Sequence, residues 1–127
     1  MRSPTIRSAI LILAGIIGAS GVGLAAAASH GSDARLLGSA SAMCLAHAPV
    51  LMGLYLLSER QRLATVAAGL LAAGTIVFST DLLLRHFEAT SLFPMAAPAG
   101  GMAMILGWLL VALCGVFAAR AGNHRSP

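Results

Sequence analysis

Four long apolar runs divide this chain, with short polar segments between them. The runs cover residues 8–28, 36–57, 63–84 and 99–119. Each run is about 21 residues long, or roughly 32 Å as a helix, which matches a hydrocarbon core of about 30 Å. Because a membrane-spanning helix satisfies its own backbone hydrogen bonds, the pattern predicts an all-α polytopic membrane protein, a bundle of four transmembrane helices.

The segments between the runs are short and polar. Three connections cover residues 29–35, 58–62 and 85–98, and residues 120–127 form a short polar tail. Pro94 and Pro98 interrupt the last connection, since proline breaks regular structure. None of these segments can hold a separate catalytic domain. Residues 1–127 are therefore predicted to form a single membrane domain.

Small residues recur at helical spacing inside the apolar runs. On the second and fourth predicted helices they form stripes of small residues four apart: Gly38, Ala42 and Ala46, then Ala103 and Gly107. Such stripes let two helix backbones approach closely. We expect them to serve ordinary packing within the bundle, and a contact between copies of the chain is the alternative.

Composition supports the membrane assignment and argues against nucleic acid as a partner. Charged residues make up 9% of the chain and hydrophobic residues 58%, with a mean hydropathy of +0.89. An ordinary soluble domain has roughly 25% charged residues. The formal net charge is +4, but there is no lysine, and the eight arginines stand singly or in pairs between apolar runs. Nucleic-acid binding requires basic residues clustered on one face.

The distribution of arginines predicts the orientation. Six lie in the N-terminal segment, the second connection and the C-terminal tail: Arg2, Arg7, Arg60, Arg62, Arg120 and Arg125. The other two connections hold Arg35 and Arg85. Because cytoplasmic loops carry an excess of Lys and Arg, both termini are predicted to be cytoplasmic, in a bacterial inner membrane.

The start of the chain has a second interpretation. Arg2 and Arg7, an apolar stretch and the alanines at 25–28 resemble a signal peptide with its cleavage site. The apolar stretch is longer than the 7–15 residues usual in signal peptides. Its length favours a first helix that is retained in the membrane.

Asp81 and His47 are the ionisable side chains inside the apolar runs. An acid within a spanning segment is a functional candidate. However, Asp81 lies near the end of its helix with Arg85 four residues later, so we expect an ion pair that reaches water. By helix rise, His47 lies roughly 16 Å below the outer surface and Asp81 about 5 Å. The two side chains are therefore not expected to touch.

His47 occupies the middle of the second helix, where a neutral ring is expected. Cys44 and Met43 share its face, an arrangement that would suit copper. The expected role is instead a hydrogen bond to a neighbouring helix. Pro49 follows two residues later and frees a backbone carbonyl.

His30 and His86 end the first and third helices on the outer side. Together with Asp81 they form a candidate site for a divalent cation. The spacing is not diagnostic, and terminal histidines ordinarily meet solvent. No metal, cofactor or catalytic residue is predicted, because no phosphate-binding loop, nucleophile elbow or metalloprotease helix is found.

Several short motifs carry a family resemblance along almost the whole chain. They are Ala28-Ser29-His30-Gly31, His47-Ala48, Phe78-Ser79, Pro98-Ala99-Gly100-Gly101 and Gly107-Trp108-Leu109. In this order they resemble the small bacterial membrane proteins called domain of unknown function 423 (YgdD-like), which are related to eukaryotic transmembrane protein 256. Two departures stand out: Ala46 replaces the family's tyrosine, and Thr80 and Asp81 replace small residues. The resemblance implies four helices with a retained first helix, and it implies no activity.

Two functional hypotheses follow. The first is a non-enzymatic membrane component that packs with itself or with a larger partner, because small-residue stripes and short loops dominate the chain. The alternative is a small transporter or ion-handling protein, with His47 lining a path and Asp81, Arg85, His30 and His86 at its outer mouth. An enzyme is not expected, since the candidate groups lie at different depths.

Overall fold

Four helices account for nearly all of the described chain. The computed structural model describes residues 4–31 and 33–123. The helices are α1 (Pro4–His30), α2 (Arg35–Leu57), α3 (Arg62–Phe87) and α4 (Ala96–Asn123). Each is long and apolar enough to cross a membrane. The predicted all-α fold with four membrane-spanning helices is confirmed.

The helices extend beyond the apolar runs that predicted them. Helix α1 already begins at Pro4, and α4 continues to Asn123, through the start of the predicted polar tail. Apolar runs mark where the hydrocarbon ends, whereas a helix continues as long as its backbone hydrogen bonds do. Proline is also well suited to the first position of a helix. The rest of the tail, including Arg125, and Arg2 lie outside the described residues.

The helices pack mainly in chain order. Helix α1 packs on α2, α2 on α3, and α3 on α4, with a smaller contact between α1 and α3. Within residues 4–31 and 33–123, the backbone of α4 approaches no helix except α3. Helix α3 is accordingly the most buried of the four, and α4 is the least buried.

Glycines set the distance between α3 and α4. A Cβ atom added to Gly74 would lie 2.7 Å from the carbonyl oxygen of Gly100, and one added to Gly100 would lie 2.8 Å from that of Gly74. Further along, a Cβ on Gly107 would lie 2.7 Å from the Leu71 side chain. The two backbones therefore touch, and no larger residue fits at these positions without a shift.

The stripe on α2 faces away from the rest of the chain. Ala42 and Ala46 are exposed, and a Cβ on Gly38 would meet nothing within 4 Å. On α4, Gly107 is buried against α3, and Ala103 is half-buried. The spacing of small residues shows that they share one face of a helix. In a membrane protein both faces of a helix are apolar, so the spacing does not show which face packs inside the bundle. What the α2 stripe packs against stays a prediction.

Candidate functional site

Asp81 is buried at the end of α3 and has several partners. Its exposed fraction is 0%. Its Oδ2 accepts a hydrogen bond of 2.7 Å from Nε of Arg85, which forms the predicted ion pair. Its Oδ1 accepts one of 2.8 Å from the backbone N–H of Leu92, in the connection to α4. The backbone N–H of Ala97, in the first turn of α4, also faces this carboxylate and favours its charged form.

The Asp81–Arg85 ion pair reaches water in a different way from the one expected from the sequence. The Arg85 side chain is 43% exposed, so the pair reaches solvent through its cation, while the carboxylate is enclosed by protein. An anion beside the N-terminus of a helix is favourable because the helix dipole is positive there. Asp81 therefore fixes the start of α4 relative to the end of α3, which is a structural role within the chain.

The connection between α3 and α4 is held in an unusual backbone conformation. Ala89 and Met95, at its two ends, have φ values of 52° and 66°. This left-handed region costs a non-glycine residue roughly 1–2 kcal/mol. Such residues persist where surrounding contacts determine the backbone. The hydrogen bond from Leu92 to Asp81 lies between them and supplies one such contact.

His47 is buried within the bundle and links α2 to α4, two helices whose described backbones do not approach each other closely. It is 5% exposed. Its Nε2 accepts a hydrogen bond of 3.2 Å from the indole N–H of Trp108 on α4. An indole nitrogen can only donate, so Nε2 carries no proton and the ring is neutral. Nδ1 donates to the carbonyl oxygen of Met43 at 2.7 Å. His47 thus contacts a neighbouring helix, as its sequence position suggested.

Replacing His47 with Phe tests this contact. We expect the emission of Trp108, the single tryptophan of the chain, to shift, because its indole N–H loses its acceptor. The expected loss of stability is about 1 kcal/mol, in the range of interhelical hydrogen bonds in membranes. Fluorescence and unfolding in detergent micelles measure both effects. His86→Phe is the control, and an unchanged Trp108 spectrum in both variants would contradict the described contact.

The side chains near His47 are engaged with other protein groups. Cys44 lies on the same helix, but its Sγ contacts the Ser79 hydroxyl at 3.4 Å. Both ring nitrogens of His47 already have partners. Among residues 4–31 and 33–123, no three His, Cys, Asp or Glu side chains are close enough to share a metal ion. These contacts do not favour the soft copper site considered from the sequence.

Within the described residues, the outer histidines are not among the hydrogen-bond or ion-pair partners of Asp81. His30 is exposed at the end of α1. His86 packs edge-on against Phe87, with ring centroids 4.7 Å apart. The contacts of Asp81 in the described residues are Arg85 and backbone N–H groups instead. The structure therefore brings Asp81 and Arg85 together, and among the described residues it does not assemble Asp81, His30 and His86 into a group that could hold a metal ion.

Three contacts at the opposite end of the bundle were not foreseen. Arg7 forms an ion pair of 2.8 Å with Glu59, and its guanidinium lies 4.6 Å from the centre of the Tyr55 ring. Gln61 donates from Nε2 to the carbonyl oxygen of Cys114 at 3.3 Å. The sequence places all these residues at one membrane surface, but it contains no signal for these pairings.

The four apolar helices define the class, a multi-pass membrane protein. The chain matches the family described as "Protein of unknown function (DUF423)" over residues 24–101 and belongs to it. The match begins near the end of α1, contains α2 and α3, and ends at Gly101, early in α4. No curated protein and no solved structure matches. The predicted family resemblance is confirmed, and the matched region includes His47, Asp81 and the α2 stripe.

Proposed function

We propose that this protein is a non-enzymatic component of the bacterial inner membrane, with both termini cytoplasmic, that packs with copies of itself or with a larger membrane partner. The outward face of α2 carries the proposal. Small residues and one proline occupy this face at successive spacings of four, four, three and four: Gly38, Ala42, Ala46, Pro49 and Gly53. No side chain of the described chain covers the two glycines.

This α2 face differs from the surfaces that suit lipid. On α1 and α4, large apolar side chains point outward, among them Ile12, Ile16 and Leu109. These large side chains form an irregular apolar surface that acyl chains can contact. A face of glycine and alanine instead allows another helix backbone to approach closely, which adds dispersion contacts and weak Cα–H hydrogen bonds. The α2 face also lies inside the region that matches the family.

Replacing small residues on the α2 face with larger ones tests the proposal. We expect Ala42→Leu combined with Ala46→Leu to weaken association at least about tenfold, because overpacking a helix interface costs roughly 1–3 kcal/mol. Sedimentation and native mass spectrometry of the full-length protein in mild detergent measure the assembly. The fold is expected to survive, since both side chains point away from it.

A matched control uses a different outward face. Ala73→Leu adds the same side chain at an exposed position of α3 and should leave association unchanged. Gly107→Leu is unsuitable for this purpose, because it would strike Leu71 inside the fold. Equal assembly of wild type and the double α2 variant would remove the basis of the proposal.

The transport alternative receives less support from the geometry. A path through His47 needs a ring nitrogen free to exchange protons or bind a metal, and both nitrogens have partners. Its outer mouth needs Asp81, His30 and His86 together, and among the described residues they do not form a group that could hold a metal ion. A flux of protons or divalent metals in liposomes that His47→Ala abolishes would reverse this preference.

A further inference from the structure

A wide groove opens at the end of the bundle opposite Asp81. It lies between the α2–α3 connection and the end of α4, and its volume is about 1020 Å³. The lining combines two arginines, Arg60 and Arg62, with apolar side chains that include Leu57, Leu63 and Phe117. The groove is separate from the α2 face and from the contacts of His47.

The positive charge in this groove is not neutralised by the described protein. Among residues 4–31 and 33–123, neither Arg60 nor Arg62 forms an ion pair. The neighbouring acid, Glu59, is held by Arg7 from α1. Two guanidinium groups therefore line one wall, and a guanidinium presents paired N–H donors that match the oxygens of a phosphate.

The start of α3 lies on the same wall. Gln61 precedes the helix without capping it through its side chain. Helix N-termini favour anions, because their backbone N–H groups point outward along the helix axis. A ligand with an anionic group would therefore interact favourably with both arginines and with the start of this helix.

The position of the groove indicates where such a ligand comes from. It lies where α2 ends, α3 begins and α4 ends, and helices long enough to span the bilayer place such ends near the depth of the lipid phosphates. Phe117 and Leu63 provide an apolar wall that a soluble anion would not use. Basic pockets between membrane helices are known to hold lipid headgroups. We propose that this groove binds one anionic phospholipid, with its phosphate on Arg60 and Arg62 and an acyl chain against Phe117.

Lipid titration of the full-length protein in detergent tests the site. The probes are phosphatidylglycerol, phosphatidylcholine and inorganic phosphate, and native mass spectrometry counts the bound molecules. We expect one phosphatidylglycerol to bind in preference to phosphatidylcholine. Arg60→Gln and Arg62→Gln should each weaken phosphatidylglycerol binding about fivefold, and the double variant at least about tenfold. Arg35→Gln removes the same charge at the opposite end and should have no effect.

Further variants and probes separate a phospholipid site from a simple charged surface. Phe117→Ala leaves both arginines in place and should also weaken phosphatidylglycerol binding, while the Trp108 spectrum reports that the fold is intact. Excess inorganic phosphate should not displace the lipid. If phosphate displaces it completely, the site binds a free anion and the proposal is wrong. Equal binding by wild type and the double arginine variant would also overturn it.

Discussion

Asp81→Ala should lower the free energy of unfolding by about 2–3 kcal/mol. The substitution removes a buried acceptor from the Leu92 N–H and leaves Arg85 without its counter-ion. Removing one partner of a fully buried ion pair costs roughly 3–5 kcal/mol. The expected value is smaller here because Arg85 is half exposed and can be solvated. Unfolding in mixed detergent micelles measures the change.

Two comparisons make this prediction specific. Asp33→Ala removes an exposed acid near the same end of the bundle and should change stability little, because its one hydrogen bond within the described chain is a long 3.4 Å contact. Asp81→Asn keeps an acceptor for Leu92 but loses the charge, so it should fall between wild type and Asp81→Ala. If Asp81→Ala and Asp33→Ala lower the free energy of unfolding equally, the Asp81 carboxylate does not hold the α3–α4 connection in place.

Gly100→Ala should separate α4 from α3. The new Cβ would lie 2.8 Å from both the Gly74 carbonyl oxygen and the Phe78 backbone nitrogen. Backbone atoms cannot move aside as a flexible side chain can, so the cost should be near the upper end of overpacking, about 3 kcal/mol. We expect the Trp108 emission to change as well, because its hydrogen bond to His47 depends on the position of α4.

The neighbouring residue provides a matched control. A Cβ on Gly101 would meet nothing within 4 Å, so Gly101→Ala adds the same methyl group without a clash and should cost nothing. On the other side of the contact, Gly74→Ala should reproduce the effect of Gly100→Ala, and the two should not add fully because they disturb one contact. A loss in Gly101→Ala equal to that in Gly100→Ala would contradict the packing described.

The fold could be predicted from the sequence because the length of the apolar runs determines it. Spans of about 20 apolar residues can satisfy their backbones in a bilayer in few ways. Helix ends were less predictable, since Pro4 and Asn123 depend on backbone hydrogen bonding beyond the hydrocarbon. The inward face of α2 was not predictable either. Apolar residues surround this helix, so the amphipathic signal that orients a soluble helix is absent.

Local pairs at the candidate sites were predictable, and distant ones were not. Asp81 and Arg85 are four residues apart, so helix geometry alone brings them together. Leu92 contacts Asp81, and Trp108 contacts His47. Both contacts depend on how the helices are arranged relative to one another. That arrangement depends on close contacts such as the one between Gly74 and Gly100. Glycine is common throughout this chain, and nothing in the sequence distinguishes these two from Gly69 or Gly101.

The chain-order packing of the helices has a consequence for biosynthesis. Each helix after the first packs on the helix that precedes it, so the bundle can assemble in the order in which the ribosome supplies its segments. Helix α1 and helix α2 can associate as a hairpin, and α3 then completes the part of the fold that contains most of the buried residues. Because α4 follows α3 in the chain and packs on it, α4 can dock onto a surface that α3 has already formed.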